Sequence, residues 1–487
     1  MTAASAGAIG APGTLAARGF GDLRRPVPTM LGLAIASAVV VGALAAYDPV
    51  YGAVAVVGIA IALYLAQRPV IAAYSMVLVA PACAGFRRGL PVPGLRASEL
   101  VIVALSSLIL VFGARVNRRW SRVELLLLAY AVATAALGGL DLALRRAPLE
   151  LSELGTLIGP FEFVLLVRAV AAALPEERQR ERAIRLLIVG AVVVSLVAIA
   201  QILGLGPTRS ILRSVTGSNE FEISLTEGIG RATGPFELWH ALAGFLMPSV
   251  LLSFGLLLDA GSDRRRLLYG AAVAITLAAL LASAALGPLA MTLLGFVFIA
   301  WRRRSLHLLG AIVVPAAAVV IIAFGGTYGG RAEQQYSQSR QTYRTPFVPQ
   351  TIAYRVKVFE EQSEPALAKH WISGYGPDLP PQIALSEFPF TESAYVTLLL
   401  RGGVPLLLIF LTMLAAVLRA AYLAVRRARG PFAWTVAAVV GICTINFLVL
   451  QLLESHLLDA GPPQAYWTVV GIMLAAGSGA PRGSRDG

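Results

Sequence analysis

The sequence predicts an all-α polytopic membrane protein, with about 12–14 transmembrane helices and a large extracytoplasmic loop before the last three spans. Three observations predict it. Hydrophobic residues fill 57% of the positions and charged residues only 14%, against about 25% charged in soluble domains. The apolar residues gather in windows of roughly 17 to 25 residues, the length that crosses a bilayer. The basic residues behind the net charge of +13 sit in short clusters between those windows, as cytoplasmic loops do under the positive-inside rule. That placement accounts for the charge, and the partner it implies is the lipid bilayer, not nucleic acid.

Taken in order, the chain begins with an N-terminal tail, 1–29. Its Arg18, Arg24 and Arg25 stand ahead of an apolar run ending Ala43-Leu44-Ala45, a combination that resembles a signal peptide. The run is long for one, and a second apolar run starts near Val50, so a retained first span is expected. Windows follow near 30–47, 50–66, 70–86, 98–113, 123–139, 156–174, 186–204, 241–258, 267–284, 286–301 and 306–324. They make residues 30–324 a bundle of about eleven spans, with an outer loop at 205–240. A polar segment, 325–391, reads as an extracytoplasmic loop or cap. The stretch 392–480 carries the last windows, near 394–425, 432–453 and 465–480, before a tail at 481–487.

Orientation follows from Arg115–Arg122, Glu176–Arg185, Arg264–Arg266, Arg302–Arg304 and Arg426–Arg429, all of which fall on one side if both termini are cytoplasmic. Arg87-Arg88 and Arg145-Arg146 are the exceptions, placed outside. Cys83 and Cys443 lie within apolar runs and read as packing residues. The four histidines have no metal-site spacing, and no Gly-rich phosphate loop opens a helix. No metal and no cofactor are expected.

Loops of the length of 325–391 are uncommon inside compact domains and usually functional. This one carries ten aromatic residues and six carboxylates. Aromatic faces with interleaved polar groups suit sugar rings; a cap packed on its own aromatics reads equally well. Three motifs stand at the loop edges. The first is Gly228-Ile229-Gly230-Arg231-Ala232-Thr233-Gly234-Pro235-Phe236, running into a span. A guanidinium there can fork onto phosphate oxygens or snorkel to headgroups. In the second, Arg355, Phe359 and Ala366 recur at helical spacing until Gly374 and Gly376, which predicts an amphipathic helix. The third is Thr391-Glu392-Ser393-Ala394-Tyr395, followed by Arg401-Gly402-Gly403. Glu392 reads either as a helix-capping carboxylate or as a general base, and the glycines interrupt the span, as helices do where they line a cavity.

In this order the three motifs resemble the O-antigen ligase and polysaccharide polymerase superfamily of membrane glycosyltransferases, over about Leu186–Val425. The resemblance implies transfer of a glycan from a polyprenyl diphosphate carrier to a hydroxyl of a glycan or glycolipid acceptor, outside the cytoplasmic (inner) membrane. By it, Arg231 and Arg355 hold the diphosphate and Tyr395 is a further substrate-binding residue; Arg401, beside the glycine break, is a substrate-binding candidate of its own. Ser393, Tyr395, Val396 and Gly403 match a family segment that opens with histidine. This chain has Glu392 at that position, assigned as the catalytic base. A Ser-Arg pair frequent in the family is absent, since Ser283 is followed by Ala284. The competing class is a flippase for lipid-linked oligosaccharides, which is usually built from two similar halves; no internal repeat is visible here.

Overall fold

The computed structural model describes residues 49–90, 94–112, 119–145, 151–228, 230–307, 310, 329–330, 333, 336, 348–377, 383, 391 and 393–476. The window at 30–47, most of that at 306–324, both tails, much of 325–391 and Glu392 lie outside the described residues. Among the described residues the protein is helical and has no strand. The described residues from Leu65 onward belong to one compact unit, and α1 (Pro49–Ala66) falls almost wholly in the unit before it.

Helices form at the other twelve predicted windows. After α1 come α2 (Pro69–Ala82), α3 (Ala97–Phe112), α4 (Arg122–Arg145), α5 (Leu151–Ala173) and α6 (Glu177–Leu203). The segment between α6 and the next long helix holds two short helices, α7 (Thr208–Thr216) and α8 (Glu220–Thr226). Then follow α9 (Trp239–Leu258), α10 (Asp263–Ala282) and α11 (Leu286–Arg302). In the long loop, α12 (Gln350–Val358), a π-turn (Phe359–Ser363) and α13 (Glu364–His370) run on as the continuous helical stretch expected around Arg355. The chain closes with α14 (Ala394–Arg427), α15 (Pro431–Leu450) and α16 (Pro462–Ala476). Seven of these helices, α4, α5, α6, α9, α10, α14 and α15, are long and apolar enough to cross a membrane. This is the build of a multi-pass membrane protein. The closely spaced windows on either side of Ser283 are two helices, α10 and α11, turned by Ala284 in a left-handed conformation (φ 50°).

Helix α9 is the axis of the bundle. Every residue from Ala241 to Leu256 is buried, as befits a helix apolar on all sides. Around it pack α6, α10, α11, α15 and α16, while α14 lies against α4 and α15. Cys83 and Cys443 are buried and form no disulfide. The bundle's two ends differ in chemistry. At one, Arg303 Nη2 bonds Asp259 at 2.7 Å and stacks over Trp434, 4.3 Å from the ring centre. The same end holds the buried Arg168–Glu124 pair at 3.4 Å. These contacts tie helix ends together. The opposite end gathers the motifs singled out from the sequence.

Candidate functional site

Helix α14 is broken where the sequence places Gly402-Gly403. Gly402 (φ −147°) and Gly403 (φ 64°, ψ −165°) leave the helical conformation. A side chain at Gly403 would need this left-handed backbone and would put Cβ 1.9 Å from the carbonyl oxygen of Ile372, so only glycine fits. Backbone groups freed by the break must find partners, and the long loop supplies them. Tyr375 and Gly376 N–H groups donate to the carbonyls of Leu400 and Arg401, and Val404 N–H donates to the Trp371 carbonyl at 2.9 Å. The loop therefore splints the break and fixes Arg401.

Arg401 points into a cavity of about 360 Å³. Its walls come from α3, α4, α5, α14, α16 and the connector between α15 and α16. Two of the arginines on this wall are paired: Arg88 with Glu99 at 2.8 Å and Arg96 with Glu237 at 3.3 Å. Gly155 makes room for the Arg88 guanidinium, since a Cβ there would fall 1.4 Å from Nη1. The wall also carries Glu162, whose Oε1 accepts from Gln464 Nε2 at 2.8 Å. Arg401 is different. Tyr130 and Asp459 act on its charge, but among the described residues none makes a hydrogen bond or ion pair with its side chain.

Beside the cavity, Arg355 pairs with the carboxylate of Glu454, whose field also reaches Arg231. Arg355 Nη2 lies 3.6 Å from Glu454 Oε1, and Arg231 stands in the field of Glu454, Glu227 and Glu220. Gln201 builds the turn that presents Arg231, accepting from the N–H groups of Thr233 and Gly234 at 3.0 and 2.9 Å. The Arg231 guanidinium stacks over Trp239 at 4.8 Å, with Glu227 4.0 Å away. Burial pushes its pKa below the ordinary value, against the acids that raise it. Its Nε has no hydrogen-bond partner.

Glu454 is the hub. Fully buried His456 brings Nε2 to 3.1 Å from Glu454 Oε2, an ion-pair distance, although neither atom meets a well-aligned hydrogen bond. His240 stacks edge-on against His456 at 5.6 Å and bonds Asp459 Oδ2 at 3.1 Å. Burial alone would raise the pKa of Glu454. His456, His240 and Arg355 overcome that and hold it down to about 2. The His240–Asp459 bond also links this cluster to the cavity, whose wall includes Asp459.

Of the residues singled out from the sequence, Arg355 pairs with Glu454, Arg231 lies within the field of that carboxylate, and Arg401 is on the adjoining cavity. Tyr395 packs at the same end, its hydroxyl donating to the Leu448 carbonyl. Glu392 lies outside the described residues, but its neighbours are tied down. Ser393 Oγ and Ala394 N–H both donate to the carbonyl of Gln451, at 3.0 and 3.1 Å, three positions before Glu454.

Sequence reading does not single out Glu454, His456, Asp459 or Glu162. The available signal was Glu454-Ser455-His456-Leu457-Leu458-Asp459, a short connector between apolar helices that carries three titratable groups. The structure also accounts for Arg88, one of the exceptions to the positive-inside pattern, through its pairing with Glu99. No protein-family model matches this sequence, and no curated protein matches it significantly.

Proposed function

We propose that this chain is an integral-membrane glycosyltransferase of the O-antigen ligase or polymerase type. It moves a glycan from a polyprenyl diphosphate carrier to an acceptor hydroxyl on the outer face of the cytoplasmic membrane. The observation that carries the reading is that Arg355 pairs with Glu454 beside a polar cavity, while Arg231, from a separate loop, lies within the field of the same carboxylate. Two forked guanidiniums suit a diphosphate. The bond from the anomeric carbon to the diphosphate breaks as the acceptor oxygen attacks. The arginines stabilise the charge on the departing diphosphate, and Glu392 takes the acceptor's proton. Glu454 is the internal anion that holds Arg355, and the donor diphosphate competes with it.

A transporter of lipid-linked glycans is the second reading, favoured by a charged cavity within the helical bundle. One assay separates them. Full-length protein in proteoliposomes is given a polyprenyl-diphosphate-linked oligosaccharide and an acceptor glycan, and free polyprenyl diphosphate is measured. A transferase releases it; a transporter moves the intact donor between leaflets. Arg231→Lys and Arg355→Lys are each expected to cut release at least tenfold, because a point charge does not replace the fork. Transfer at the wild-type rate in both variants would remove the diphosphate site from these arginines.

A further inference from the structure

We infer that the cavity beside Glu454 is a subsite for an acidic sugar residue, its carboxylate on Arg401 and a hydroxyl on Glu162. The assignment deepens the proposed function and rests on it, because it takes a glycan to be the substrate.

Charge pairing on the wall leads there. Arg88 is answered by Glu99, Arg96 by Glu237 and Asp459 by His240. Two polar groups remain. Arg401 has no hydrogen bond or ion pair among the described residues, and Glu162, more than nine-tenths buried, has one oxygen, Oε2, without a hydrogen-bond partner. A cation within a spanning segment is costly unless a partner meets it, and such residues mark substrate pathways. The complementary ligand brings one negative group and hydrogen-bond donors.

The rest of the wall narrows the ligand class. Tyr130 and Phe410 pack with ring centres 5.4 Å apart, and Phe163 stacks on Trp467 at 6.5 Å. These rings offer apolar faces to the C–H side of a sugar. A volume of about 360 Å³ sits at the lower end of the roughly 300–1,000 Å³ range of small-ligand clefts, which suits the end of a glycan and not its length. A diphosphate fits poorly. It would bring at least two negative charges towards one unpaired guanidinium, since Arg88 and Arg96 on the same wall are already met by Glu99 and Glu237. A single carboxylate is what Arg401 can neutralise.

The test is binding to the purified full-length protein in detergent, followed by saturation-transfer NMR and tryptophan quenching. The probes are methyl glucuronide, its neutral amide and methyl glucoside. The wild type is expected to bind the glucuronide at least tenfold more tightly than either neutral probe. Arg401→Gln should erase that preference while leaving glucoside affinity within twofold, and inorganic pyrophosphate should not compete for the cavity. Equal affinity for all three probes in the wild type overturns the proposal without any variant. So does a preference that survives Arg401→Gln, or pyrophosphate competition that Arg401→Gln abolishes. The binding assay involves no transfer, so the two readings fail separately. Acid preference without polyprenyl diphosphate release keeps the subsite and removes the transferase; release without the preference does the reverse.

Discussion

Glu454 and Glu392 make opposite predictions although both are carboxylates. Glu392→Gln keeps the size and most of the capping geometry but removes the base. Transfer should fall by about two to four orders of magnitude in a normally folded protein, read as polyprenyl diphosphate release. A mere helix cap would lose almost no activity. Glu454→Gln removes the anion that pairs with Arg355 and whose field reaches Arg231. The donor then meets less competition, so its KM should drop, while stability falls by roughly 1–3 kcal/mol as charged partners lose their bond. Stability should also change its acid response. The folded pKa of Glu454 is depressed from its ordinary 4.5 to about 2. The contribution is thus fully present above about pH 4.5 and is lost as pH falls towards 2. Unfolding of the Gln variant should be flatter across that window than unfolding of the wild type. Arg231 and Arg355 are legible in the sequence because glycines and a helical repeat surround them. Glu454 is not, because its meaning comes from His240, more than two hundred positions earlier, and no local spacing encodes that contact.

At the scale of elements, the break in α14 is legible and its partner is not. Gly402-Gly403 within an apolar run announces an interruption, and the structure places it there. What the spacing does not reveal is that Trp371–Gly376 carries the missing backbone bonds. A helix of 34 residues would be about 50 Å long if straight, well beyond the roughly 30 Å hydrocarbon core, so a bend answers the mismatch in length. Gly403→Ala should destabilise the protein by more than about 1 kcal/mol, since the residue is left-handed and its Cβ would overlap the Ile372 carbonyl. The thermal midpoint in detergent should fall. Glucuronide binding should weaken in parallel, because Arg401 is two positions away. Gly139→Ala, on α4 with open space around its Cβ, is the control and should leave both unchanged.

For the whole molecule, the sequence makes the helices plain because burial in lipid demands long apolar runs, and twelve of the predicted windows are helices among the described residues. The proposed orientation puts the end that holds Glu454 on the outer face. Ser210, on α7, and Lys357, on α12, belong to loops at the end that holds Glu454, whereas Arg265 opens α10 near Asp259 at the other. Single-cysteine variants should separate accordingly. Ser210→Cys and Lys357→Cys should react with an impermeant maleimide applied to intact cells, and Arg265→Cys only after permeabilisation. Labelling of Arg265→Cys from outside would invert the orientation and move the proposed site to the cytoplasmic face.

The splint across α14 has a consequence for exchange kinetics. The amides of Tyr375 and Gly376 in the loop and Val404 in the helix are protected by bonds that exist only while the two segments touch. Their hydrogens should therefore exchange with solvent at one shared rate, set by how often the loop lifts from the helix. A ligand held by Arg401 would slow all three together, so a deuterium clock on these amides can follow occupancy of the cavity from outside it.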